Sequence, residues 1–140
     1  MQEINAVALL KKEGYTLILY NESEYRVERA RGVAPLLSLL DNGEDASSFC
    51  AVDKVVGKAA AFLYILLGIR RISALTVSES ARALLEEHKI IVGYETCVDR
   101  IKNRDGTGFC PMESAVISES DPSAALSAIR SALHALRNKK

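Results

Sequence analysis

The chain has 140 residues, 49% of them apolar and 26% charged, and its 18 basic and 18 acidic side chains cancel. That length fits one domain, residues 1–140, with one hydrophobic core. The balanced charge argues against a broad face for nucleic acid or anionic lipid. The longest apolar run, Ala59–Leu67, falls well short of the ~20 residues that cross a bilayer.

Residues 2–13 place Ile4, Val7, Ala8, Leu9 and Leu10 near helical spacing ahead of Gly14, a plausible helix stop. They carry acids and lysines, unlike a secretory leader. Thr16–Tyr20 reads as a strand, Asn21–Glu24 as a polar turn and Tyr25–Ala30 as the returning strand of a hairpin. Gly32 breaks it. Pro35 suits the first turn of a short helix, Ala34–Leu40, closed by Asn42-Gly43.

Glu44–Ser48 reads as a polar connection, and Ser47 or Ser48 as the cap of a core helix. That helix is expected to carry Asp53, Lys54, Gly57 and Lys58 on its first turns and to end at Gly68. Arg71–Val77 follows as a strand, Ser78 as the cap of helix Glu79–His88, and Lys89–Tyr94 as another strand. Residues 98–112 are irregular. Asp121-Pro122 then opens a last helix with a stripe of Ala125, Ile129, Ala132, Leu133 and Leu136. The order of elements predicts an α/β fold, a three-layer α/β/α arrangement around a mixed sheet.

Two clusters carry the chemistry. The first is Asp53, Lys54, Gly57 and Lys58: free amides at a helix start favour an anion, lysine adds charge, and Gly57 admits a close neighbour. A charged first turn with a helix contact at Gly57 accounts for the same residues. No phosphate-loop spacing surrounds Gly57-Lys58. The second cluster is Cys110-Pro-Met-Glu113, where Pro111 places Cys110 at the cap of a short helix. A thiol there can be activated, with Arg104 assisting; Glu113 either opposes that shift or acts as a proton shuttle. A small buried cysteine closing a loop is the plain alternative. Asn103-Arg104 could bind a carboxylate or phosphate. Cys50 and Cys97 read as core. Three cysteines without framework spacing fit a reducing compartment, the cytoplasm. The sequence has no HxE or CxxC pattern for zinc.

The chain resembles an uncharacterised prokaryotic family with a cytidine deaminase-like fold that lacks the zinc site. The resemblance rests on Arg31-Gly32-Val-x-Pro35-Leu-Leu, Asp53-Lys54-Val-Val-Gly57-Lys58-Ala-Ala-Ala, Ser78-x-x-Ala81, Asn103-Arg104 and Cys110-Pro-Met-Glu113. True deaminases place metal-binding cysteines where Ser78 and Ala81 stand here. The resemblance therefore implies a retained cleft without metal chemistry, and with it no cofactor.

Together these readings suggest a small-molecule site for a nucleoside, nucleotide or other small anion. Cys110, Glu113, Asp53 and Lys54 are the candidate catalytic groups of a metal-independent thiol enzyme. Gly57, Lys58, Ser78, Asn103 and Arg104 are the candidate ligand contacts. The alternative is a non-catalytic binding protein, or a homodimer built through the apolar helix and an exposed strand.

Overall fold

The computed structural model describes residues 1–30, 32–102, 108 and 110–137. Its centre is a five-stranded mixed sheet of β1 (Leu17–Tyr20), β2 (Tyr25–Glu28), β3 (Cys50–Val56), β4 (Arg71–Ser78) and β5 (Ile91–Val98). The order across the sheet is β2-β1-β3-β4-β5. The first hairpin is antiparallel and in register from Leu17↔Glu28 to Tyr20↔Tyr25. Asn21 sets its turn: the Asn21 carboxamide oxygen accepts from the amides of Ser23 at 2.8 Å and Glu24 at 2.9 Å. β3 pairs antiparallel with β1 and parallel with β4, which pairs parallel with β5.

The described residues form six helices: α1 (Glu3–Glu13), α2 (Ala34–Asp41), α3 (Lys58–Leu67), α4 (Glu79–Glu87), α5 (Pro111–Ala115) and α6 (Pro122–Arg137). The period-two alternation of β1 sorts them into layers. Ile18 and Tyr20 join Val52 beneath Ala6 and Leu10 of α1. Leu17 and Leu19 turn to the opposite face, where Ala51, Ile72 and Ala74 meet residues of α2 to α6. Among the described residues, one face of the sheet thus carries a single helix and the other carries five. The expected α/β class, with helices on both faces of a mixed sheet, is the observed one.

The sequence reading fails between residues 50 and 67. The core helix does not begin at Ser47 or Ser48, and Asp53 and Lys54 do not lie on its first turn. Residues 50–56 form the central strand, and the helix starts at Lys58 with Gly57 as its cap. Val52, Val55 and Val56 are stiff, β-branched residues that fit a strand flanked on both sides. From Ala59 to Leu67 the run is dominated by Ala and Leu, which favour a helix. Burial along this strand does not alternate, with Ala51, Val52 and Val56 buried and Lys54 and Val55 exposed, so it shows no period of two to set it off from the helix that follows. The strand expected at Lys89–Tyr94 also shifts. Lys89 takes a left-handed turn at φ 61, and β5 runs from Ile91 to Val98.

α3 is largely enclosed by its own chain. Ala59 to Tyr64 and Leu67 are all buried, while Ile65 and Leu66 are only partly covered. Gly68 ends it in the left-handed region at φ 78, a conformation glycine adopts without steric cost.

Candidate functional site

The start of α3 is an unusual terminus because its cap has no side chain to offer. Gly57 is extended, at φ -100 and ψ -178, and contributes no side-chain hydrogen bond. The missing partner comes from α5. One carboxylate oxygen of Glu113 accepts from the Lys58 amide at 2.6 Å and the other accepts from the Ala59 amide at 2.9 Å. Both bonds are charge-assisted and lie at the positive end of the α3 dipole. A Cβ on Gly57 would overlap the Glu113 carboxyl group. The close approach anticipated at Gly57 is therefore made by a carboxylate of the same chain.

This arrangement redirects several sequence expectations. The helix terminus read as an anion site is filled by Glu113. With both oxygens engaged on α3, Glu113 is held as a cap rather than poised as a shuttle for Cys110. The Lys58 ammonium donates to the Ile117 carbonyl at 3.0 Å and stands 5.7 Å from the centre of the Phe62 ring. It fastens the segment after α5 instead of facing a ligand. Ser78, 1% exposed, caps α4 by accepting from the Ala81 amide at 3.2 Å. It does not line the cleft described next. Asn103 and Arg104 lie outside the described residues.

Beside the α3 terminus opens a cleft of about 670 Å3. Asp53, Lys54, Gly57, Cys110 and Glu113 all line it, so the two clusters of the sequence share one cavity. Its walls are apolar, with Leu17 from β1, Leu36 from α2, Ala60 from α3, Met112 from α5 and Leu133 from α6. Lys102 adds a second basic residue to the lining.

Asp53 is half-buried on the sheet face toward α3. One of its oxygens accepts from the Tyr64 hydroxyl at 2.6 Å, and the other accepts from the Val55 amide at 3.2 Å. Burial pushes its pKa up to about 7, against the hydrogen bonds from Tyr64 and the backbone that lower it. Tyr64 is fully buried. Burial, followed by the charge of Asp53, holds its phenol well above its ordinary value, so it stays a donor at neutral pH. Asp53 and Tyr64 thus place a proton-exchanging carboxyl at the edge of an apolar cavity.

Cys110 is half-buried at the cap of α5, as the Pro111 reading predicts, and its amide donates to the Ile101 carbonyl at 3.1 Å. The other notable thiol is Cys97, which donates to a Glu79 oxygen at 2.8 Å. That hydrogen bond, then burial and the charge of Glu79, raise the Cys97 pKa. A Glu79→Gln protein is expected to alkylate several-fold faster at Cys97 at pH 8, because more thiolate is present. Peptide mass spectrometry after timed iodoacetamide treatment reads this, and an unchanged rate would remove Glu79 as the cause.

Comparison with known proteins places the chain. Residues 5–133 match the family described as Domain of unknown function (DUF1893), TM1506. The chain belongs to the DUF1893 family. It is similar to the solved DUF1893 family protein TM1506 of Thermotoga maritima, a prokaryote, with a TM-score of 0.83 and 24% identity. That likeness covers 96% of this chain and 92% of the other, and it establishes a shared fold. No curated protein matches the chain. Among the described residues no helix is long and apolar enough to cross a membrane.

Sequence reasoning missed two residues of the candidate site in this DUF1893 chain, Lys102 in the cleft lining and Tyr64 behind Asp53. Tyr64 looked like one more core position in an apolar helix, and Lys102 like one charge in an irregular stretch. A tyrosine inside an otherwise aliphatic helix is a signal that could have been used, since a buried hydroxyl needs a polar partner.

Proposed function

We propose that this DUF1893 chain binds a small molecule with an apolar body in the cleft between β3, α3 and α5. The observation that carries the reading is convergence. Residues distant in sequence, Asp53-Lys54, Gly57 and Cys110 to Glu113, meet around one cavity of about 670 Å3 with apolar walls, the usual form of a ligand pocket. Nucleosides and nucleotides, implied by the deaminase likeness, belong to this class. Their phosphate would engage Lys54 or Lys102, because Glu113 holds the helix terminus. Metal-independent thiol chemistry at Cys110 fits the same cavity.

The test uses 8-anilinonaphthalene-1-sulfonate, an aromatic anion, as a probe of the cleft. The folded protein is expected to bind it saturably at one site and to slow alkylation of Cys110 as it does so. Ala60→Met places a flexible side chain in the cavity and is expected to weaken binding at least tenfold with the fold retained. Absence of saturable binding, or equal binding by Ala60→Met, would overturn the reading. A homodimer is the second reading, favoured by β5, an edge strand with Ile91 59% and Tyr94 47% exposed. Sedimentation of a monomer at high concentration would dismiss it.

A further inference from the structure

Asp53 stands out among the polar groups of the cleft. Its carboxyl is drawn into an apolar cavity, and its protein hydrogen bonds come from neutral donors, the Tyr64 hydroxyl and the backbone amides of Val55 and Lys54. Among the described residues it forms no ion pair. Each oxygen keeps further acceptor capacity. A half-buried carboxylate without a cation is costly, and a cationic partner offsets that cost.

Among the described residues, the other titratable groups in or beside the cavity do not supply that cation. Glu113 on α5 is bound through both oxygens to α3 amides. Cys110 on α5 is a thiol. Tyr64 on α3 is held as a neutral donor. Lys54 on β3 and Lys102 after β5 are exposed, and Lys54 forms no ion pair among the described residues.

We infer that Asp53 is the recognition residue of the cleft and that it takes a planar cationic head of the amidine class carried on an apolar body. An amidinium presents two parallel N–H donors, which match a carboxylate edge as a guanidinium does. The apolar walls take the body. The exposed lysines suit an acidic group at the ligand's far end. The inference rests on the binding proposed above and names the head group of its ligand.

The raised pKa of Asp53 gives the inference a signature. A carboxyl with a pKa of about 7 is mostly protonated at pH 6 and mostly ionised at pH 8. A cation that requires the ionised form binds about tenfold more tightly at the higher pH and releases a proton on binding near neutrality.

Calorimetry with benzamidine on the full chain is the experiment. The expected result is binding at pH 8 that weakens about tenfold at pH 6, with proton release visible as a dependence on buffer ionisation heat. Asp53→Asn is expected to reduce the pH 8 affinity at least tenfold. Tyr64→Phe keeps the carboxylate but removes a donor, so the pH midpoint of binding moves upward, a shift that loosened packing alone would not produce. Benzamidine binding that is absent, independent of pH or unchanged in Asp53→Asn would overturn the inference. The naphthalene probe separates the two readings. If it binds and benzamidine does not, the head group is wrong. If neither binds, the cleft is not a ligand site.

Discussion

Gly57→Ala is expected to lower stability by about 2–3 kcal/mol, although Gly57 sits in extended backbone that alanine tolerates. The cost comes from displacement. The new methyl group occupies the space of the Glu113 carboxyl, and the two amides at the α3 terminus lose their acceptors. For a chain of this size the melting temperature falls by roughly 10 °C. Glu113→Ala is expected to cost a similar amount, because it uncaps the same amides. The double variant is expected to be little worse than Glu113→Ala alone, since the overlap has gone with the carboxylate. A double-mutant cycle from denaturant melts therefore yields a coupling of about 2 kcal/mol. Additive losses would show that Gly57 and Glu113 act separately.

Asp53→Asn is expected to flatten part of the pH dependence of stability. The folded-state pKa of Asp53 is raised from 3.8 to about 7. The native state therefore binds more protons than the unfolded chain across that interval. The contribution is full below about pH 4, declines as pH rises toward 7 and is gone above it. Over about three pH units the difference is on the order of 4 kcal/mol. Unfolding midpoints at pH 5, 6, 7 and 8 for both proteins isolate the Asp53 share. The wild type is expected to lose stability relative to Asp53→Asn with rising pH. A constant difference, or one of opposite sign, would contradict the buried-carboxyl assignment.

Local chemistry made much of the fold legible. Gly14 and Gly68 mark helix ends, Pro35 and Pro122 mark helix starts, and Asn21 marks the hairpin turn. Each acts through its own backbone or its near neighbours, so one sequence suffices to place it. The boundary at Gly57 was harder. β3 has no regular alternation of burial, and only Gly57-Lys58 separates its Val55-Val56 end from the apolar run of α3, so the change of period is hidden. The change from valines to alanines and leucines at residue 57 was the available clue.

The candidate site was legible as a set of residues but not as an arrangement. Asp53, Lys54, Gly57, Cys110 and Glu113 share one cleft, yet the partner of Gly57 stands more than fifty positions away on α5. The reading of Gly57 and Lys58 as an anion seat used sound physics for a helix terminus. The protein satisfies that terminus with its own carboxylate.

The uneven layering of the sheet also shapes how the molecule comes apart. Among the described residues, α1 is the sole helical cover of its face, through a cluster much smaller than the core opposite. Its ion pairs, Lys11 with Glu95 and Glu3 with Arg71, are exposed and add little strength. Opening therefore has a direction: α1 can peel away at a fraction of the global unfolding free energy. Such an opening wets Ile18 and Val52 in the middle of the sheet while α3, the cap at Gly57 and the cleft remain assembled. Excursions on one side of the sheet are thereby insulated from the cavity on the other.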